Sequence, residues 1–193
     1  MKSLLVIVSA PSGTGKTTIV RELIARMSAY LPITQAITYT SREMRAGEEA
    51  GVDYHWISPA EFEQKIQEGF FLEWSAAYGA YYGTPRTILQ DIAKGVTVIL
   101  VIDRAGARQI KELIPDALTV WLTVPSLDEL RRRLETRARD SQEQIERRLE
   151  IAKRELEEEK KYQFYAYSIE NSKKESTIIA LENMIVESIK SSI

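Results

Sequence analysis

The chain has 193 residues, 26 basic and 28 acidic, for a net charge of −2 at pH 7, and it contains no cysteine. That length suits one domain with a sizeable core, and the near balance of charge gives no bulk attraction to nucleic acid or to a membrane surface. The lack of cysteine excludes a disulfide framework and thiolate metal sites, and no apolar stretch is long enough to span a bilayer, so a cytoplasmic protein is expected.

Lys2, a short apolar run and Ser9-Ala10 imitate a secretory leader. Cleavage there would cut through the glycine turn that follows, so no leader is expected. Leu4 to Val8 reads as a central parallel strand, covered on both faces and therefore without alternation. The run Ser9-Ala10-Pro11-Ser12-Gly13-Thr14-Gly15-Lys16-Thr17-Thr18 then reads as a tight turn opening a helix. Glycines let the turn aim its N–H groups inward, a helix N-terminus faces an anion, a lysine reaches the β/γ oxygens, and a hydroxyl holds Mg²⁺. Ala10 stands where the usual motif has its first glycine, which a strand end tolerates at negative φ. This is the pattern of a nucleotide polyphosphate site, with Ser12, Gly13, Thr14, Gly15, Lys16, Thr17 and Thr18 as its candidates.

Ile19, Val20, Leu23, Ile24 and Met27 mark one buried face of a helix from about Gly15 to Ala29, ended by Pro32. From Ile33 to Tyr82 the helical period fades and aromatic, Thr and Gly residues crowd in. The pattern predicts short twisted strands around one helix, Pro59 to Glu68, with Ser58 as its cap. Arg42 and Arg45, three residues apart, can turn toward one phosphate, and Tyr54 and Tyr82 add neutral donors. Val96 to Ile102 is the next buried strand, and Asp103 at its C-terminal end should face the ligand crevice. A helix (Ala105 to Leu113), a strand (Ala117 to Val124) and a helix (Leu127 to Arg137) follow in βαβ order. Arginines multiply around the last of these helices, Leu127 to Arg137. A long charged helix starts near Asp140 or Ser141, with Glu143 or Gln144 placed to close a capping box. Tyr165 to Ile169 is a candidate last strand and Thr177 to Ile189 the closing helix. The single histidine, His55, is expected to pack beside Tyr54 rather than to titrate in catalysis.

The ordered motifs resemble those of guanylate kinases, over nearly the whole chain. They are the phosphate loop; Thr40-Ser41-Arg42-Glu43-Met44-Arg45-Ala46-Gly47-Glu48 with Gly51-Val52-Asp53-Tyr54; Phe71-Leu72-Glu73-Trp74; Tyr82-Gly83-Thr84; Ile102-Asp103-Arg104-Ala105-Gly106; and the arginines from Arg137 to Arg148. The resemblance implies an α/β fold of the P-loop NTPase kind, a parallel sheet flanked by helices, with a β-rich GMP-binding lobe and an Arg-rich lid. In these terms the single domain divides into a core (1–32, 85–136 and 149–193), a lobe (33–84) and a lid (137–148). It implies phosphoryl transfer from MgATP to GMP and dGMP, giving ADP and GDP, by a monomer or homodimer. Arg42, Arg45, Tyr54 and Tyr82 match the family's acceptor-phosphate site, and Glu73, Thr38, Thr84 and Asp103 its guanine site. Lys16, Arg42, Arg137 and Arg148 match its catalytic cations, with Arg133 next; Thr17 matches the metal position and Asn171 the adenine side. A carboxylate at Glu73 would accept from guanine N1–H and the N2 amine together, whereas adenine would leave it facing a lone pair.

Three departures stand out. Val101-Ile102-Asp103 replaces the common Asp-Ile-Asp, Arg104-Ala105 replaces Val-Gln, and Asn171-Ser172-Lys173 replaces Asn-Asp-Asp. Two other readings stay open. One is a kinase for a different small phosphate, against which Glu73 weighs. The other is a non-catalytic binding module of the same fold, against which the intact phosphate loop weighs.

Overall fold

The computed structural model describes residues 3–11, 13–77, 79–136 and 141–191. β1 (Leu5–Ser9) is buried along its whole length and sits at the centre of a five-stranded parallel sheet, order β2-β7-β1-β8-β9. Its neighbours are β7 (Thr97–Val101) and β8 (Leu118–Thr123), and the edges are β2 (Ile33–Gln35) and β9 (Tyr167–Glu170). Alternation along β1 divides the core. Val6 and Val8 meet α1 (Lys16–Met27) and α7 (Lys174–Lys190) through Ile19, Leu23, Ile178 and Ile185. Leu5 and Ile7 face the other side, where Ile88 of α3 (Ile88–Ala93) and Ile110 of α4 (Arg104–Leu113) pack.

α5 (Leu127–Thr136) and α6 (Gln142–Tyr162) form a separate cluster through Leu130, Leu134, Ile145 and Leu149. Ser141 caps α6 and closes a capping box with Gln144, one of the two partners the spacing allows. The first two turns of α6, which carry Arg148, continue without a break into the helix that reaches the core at Leu156.

The second sheet has four strands, β3 (Thr38–Thr40), β4 (Tyr54–Trp56), β5 (Phe71–Ala77) and β6 (Ala80–Pro85), in the order β4-β3-β6-β5. One face is closed by α2 (Pro59–Gln67), whose Phe62 stacks on Phe71 and Tyr81. Gly83 sits beneath this stack, where a Cβ would come within 2.9 Å of both Phe62 and Phe71. His55 packs on Tyr39, ring centroids 4.6 Å apart, on the strand beside its own.

One boundary differs from expectation. Ile33–Gln35, assigned to the lobe by composition, pairs in parallel with β7, and the Ala36 N–H donates to Ile99, so this segment belongs to the main sheet. A three-residue edge strand carrying Thr and Gln lacks the apolar run that marks the inner strands. Among the described residues no helix is long and apolar enough to cross a membrane.

Candidate active site

The phosphate loop connects β1 to α1. Gly13 and Gly15 have φ of 91° and 98°, a region open to glycine at little cost. Gly15 also occupies the cap position of α1 without a side-chain cap, so the first N–H groups of the helix remain available to an anion. The Thr14 hydroxyl donates to the Pro11 carbonyl at 2.7 Å and closes the turn. Lys16 folds back, its Nζ donating to the carbonyls of Ala10 at 2.6 Å and Pro11 at 3.3 Å. Thr17 and Thr18 are exposed in the first turn of α1. Ser12 and Arg137, both expected in the site, lie outside the described residues.

Two groups grip the outer side of the loop at one atom. The Thr14 carbonyl accepts from Asn171 Nδ2 at 2.7 Å and from Arg133 Nη1 at 3.2 Å. Asn171 is buried, its Oδ1 accepts from Thr177, and its own carbonyl accepts from Arg133 Nη2. Asn171 therefore buttresses the loop, with both ends of its amide in use. Arg133 likewise spends its donors on protein carbonyls and Glu129, whereas Arg132 pairs with Glu129 on the surface of α5 and Arg131 reaches across to Glu146 on α6. Arg148 is partly buried in the second turn of α6. Apolar contact ties α5 to the loop as well. A Cβ on Gly13 would come within 2.8 Å of Leu134.

The acceptor side is assembled by strand register. β4 pairs Tyr54 with Thr38, β6 pairs Thr84 with Glu73, and the β3–β6 register (Tyr39 with Gly83) carries Thr38 opposite Thr84. Tyr54, Thr38, Thr84 and Glu73 thus form one row across the sheet. Two residues further along, Trp56, Thr40, Tyr82 and Ser75 form a second row on the same face. The intervening row, His55, Tyr39, Gly83 and Trp74, points to the opposite face.

Arg42 rises over one end of these rows. It pairs bidentately with Glu48 at 2.8 and 2.5 Å and lies over the rings of Tyr54 at 4.9 Å and Trp56 at 5.8 Å. Burial opposes the Arg42 charge, but the Glu48 carboxylate outweighs it and raises the Arg42 pKa. In return Arg42 lowers Glu48 against the effect of burial. Burial, with Tyr82 nearby, raises the Tyr54 phenol. Arg45 is exposed in the same loop, and its backbone N–H donates to Glu48.

Glu73 stands at the other end, 3 % exposed. The Thr84 hydroxyl donates to it at 2.5 Å. Burial pushes the Glu73 carboxyl up to about 7, with Asp103 adding to the rise and Thr84 opposing it. Asp103 caps α4, accepting from the Gly106 N–H at 2.9 Å, and takes the Ser75 hydroxyl on its other oxygen at 2.5 Å. The expected site residues therefore fall into two groups, one around the loop and one across the sheet face.

The departures have structural counterparts. Val101 packs against the core beside α1. Arg104 is buried, donates to Glu159 at 2.6 Å and lies near the rings of Phe164 and Tyr165, joining α4 to the far end of α6. Burial also raises the carboxyl of Glu155, one turn earlier on α6, against the pull of Lys16. Ser75, Glu48 and Glu155 were not singled out from the sequence. Only Ser75 had a usable signal, since it shares a strand face with Glu73.

The family model described as guanylate kinase matches residues 2–188. A guanylate kinase of Vibrio parahaemolyticus is 43 % identical over 171 residues, 88 % of this chain and 81 % of that protein. One from Symbiobacterium thermophilum is 46 % identical over 149 residues, 77 % of this chain and 69 % of that protein. The fold is similar to the crystal structure of guanylate kinase from Anaplasma phagocytophilum, with a TM-score of 0.78 at 27 % identity, covering 96 % of this chain and 85 % of that one.

Proposed function

The chain belongs to the guanylate kinase family, and from that premise we propose that it transfers the γ-phosphoryl group of ATP to GMP, giving ADP and GDP. The observation that carries the acceptor assignment is the row Tyr54–Thr38–Thr84–Glu73, which sets a phosphate-binding hydroxyl and a buried carboxylate at opposite ends of one sheet face. Guanine spans the Glu73 end, its N1–H and N2 amine donating to the carboxylate, with Thr38, Thr84 and Asp103 around the purine. The GMP phosphate reaches Arg42, Arg45, Tyr54 and Tyr82. dGMP fits the same contacts, since none of these groups is assigned to the ribose.

On the donor side, backbone N–H groups from residues 12–17 hold the β-phosphate. Lys16 exchanges its two carbonyl partners for the β/γ oxygens. Thr17 suits Mg²⁺, because its exposed hydroxyl lies at the phosphate end of α1. Among the described residues no set of three carboxylate or imidazole groups could hold a metal by itself, which suits an ion carried largely by the phosphates. Bound there, Mg²⁺ would neutralise the charge shared between β- and γ-phosphoryl oxygens. The attacking GMP oxygen is already anionic at neutral pH, so no general base is required. Arg137 and Arg148 stabilise the charge spread over the equatorial oxygens when the lid closes, and closure excludes water from the donor. A cytoplasmic monomer or homodimer is what membership of this family suggests.

ADP release measured across GMP, dGMP, AMP, UMP and dTMP tests the proposal. GMP and dGMP should be the preferred acceptors. A clear preference for a non-guanine acceptor would overturn it.

A further inference from the structure

We propose that Gly106 and Gln109 of α4 are positioning residues that set the guanine-reading geometry of Glu73. This rests on the reading of Glu73 as the guanine acceptor given above. β5 is the edge strand of its sheet, and the outward N–H and C=O of Trp74 have no strand to pair with. Gln109 supplies both partners. Its Oε1 accepts from the Trp74 N–H at 3.3 Å and its Nε2 donates to the Trp74 carbonyl at 2.7 Å. One primary amide thus stands in for an absent neighbouring strand, at the residue that follows Glu73.

Gly106 lies on the same stripe of α4, three residues before Gln109. A Cβ there would collide with Glu73 Oε2 and stand 3.0 Å from its Cδ. The missing side chain leaves the space into which the carboxylate settles. Three residues earlier, Asp103 accepts from Ser75. Asp103, Gly106 and Gln109 therefore address Ser75, Glu73 and Trp74, three consecutive residues of one strand. The strand is held at the two residues that follow Glu73, and the carboxylate itself lies against Gly106, so it has little freedom to follow a misplaced base.

That rigidity bears on discrimination between purines with two and one donors on the pairing edge. GMP offers N1–H and the N2 amine, while IMP offers N1–H alone. A carboxylate held in place gains the second contact only with GMP; one that is free to shift accommodates the two bases more equally.

The ratio of kcat/KM for GMP to that for IMP is the measurement, with KM for ATP taken alongside. Gln109→Leu keeps the side-chain bulk and removes both hydrogen bonds to Trp74. It should lower the GMP:IMP ratio about 5- to 10-fold, the effect expected for lost neutral hydrogen bonds. Gly106→Ala should lower it further, by about 100-fold, by pushing the carboxylate aside. KM for ATP should change less than about 2-fold in both, because additivity holds for sites without shared partners. Glu73→Gln is the reference and should collapse the ratio. If it does and both α4 variants retain the wild-type ratio, the positioning role is overturned while the guanine reading stands. If Gly106→Ala does not fold, Gln109→Leu alone decides. If Glu73→Gln leaves the ratio intact, the guanine reading fails and takes the positioning role with it.

Discussion

The donor and acceptor halves of the site are made from different materials. The phosphate loop is mostly backbone. Two glycines at positive φ, a helix N-terminus and one lysine occupy a continuous run, and the loop is held by carbonyl contacts from Lys16, Asn171 and Arg133. The acceptor face is mostly side chain, drawn from four strands and the start of α4, and it contains a buried carboxyl together with a partly buried Arg–Glu pair. Backbone N–H groups carry little information about what is attached to a phosphate. Side-chain carboxylates and hydroxyls in fixed register do, at the cost of burying groups that titrate. Selectivity and pH sensitivity should therefore reside on the acceptor side, and the chemical step should depend most on the donor side.

The sharpest way to break that division is Lys16→Ala. It should lower kcat by roughly 10³-fold or more, since it removes a charge aimed at the transferring group. The folded chain should be little affected, because Lys16 is only partly buried and its hydrogen bonds to the Ala10 and Pro11 carbonyls lie within the loop. Steady-state ADP release and a thermal melt check the two halves of the statement, and an active variant would sink the donor assignment.

The next effect belongs to the acceptor face. The Glu73 carboxyl, pushed up to about 7, retains a proton in the folded chain that the unfolded chain releases near its ordinary value of about 4.3. Between those values the folded state binds more protons, so stability is greatest at the acid end and falls as pH rises, with the loss complete above about 7. From pH 5 to 8 this group should lower the melting midpoint by on the order of 5 °C. Glu155, raised in the same direction, adds to the slope. GMP should flatten the slope by offering donors to the carboxylate, and Glu73→Gln should remove its share. An unchanged slope in that variant would contradict the assignment.

The smallest effect sharpens the comparison from the donor side. Asn171→Ala leaves Arg133 as the remaining side-chain grip on the Thr14 carbonyl. KM for ATP should rise about 5-fold, the scale of one neutral hydrogen bond, with KM for GMP unchanged. Separate titrations of the two nucleotides test this. A larger effect on GMP would show that the halves are not separable at this residue.

The same difference explains what could be read in advance. The donor loop is contiguous, and its strand, glycine turn and periodic helix announce themselves in order. The acceptor face is not, since Thr38, Thr84 and Glu73 share a row only because three strands align in a particular register. The motif resemblance identified Glu73 and Thr84 as candidates and alternation put Ser75 on the face of Glu73, but nothing local marked Gln109 as the partner of Trp74 or Asp103 as the partner of Ser75. Glu155 was hidden for a different reason. It lies in a helix so rich in Glu and Lys that a solvated surface is the natural reading, and only the packing of α6 against α4 and the loop makes it partly buried. β2 was misassigned because three residues with two polar side chains give no period to read. α3, six residues long, was too short to show a helical repeat.

Glu48 gives Arg42 a resident counter-ion. The fork of Arg42 is already engaged by a carboxylate and stacked on two rings, so an arriving phosphate replaces one anion with another instead of neutralising a bare cation. The free energy of capture is then the difference between two strong pairings, which keeps it small. An isolated inorganic phosphate gains little from such a swap. On the acceptor reading proposed above, a nucleotide that also satisfies Glu73 at the far end of the face would gain the swap and the base contacts together, which would let the site ignore the commonest anions around it while still holding GMP.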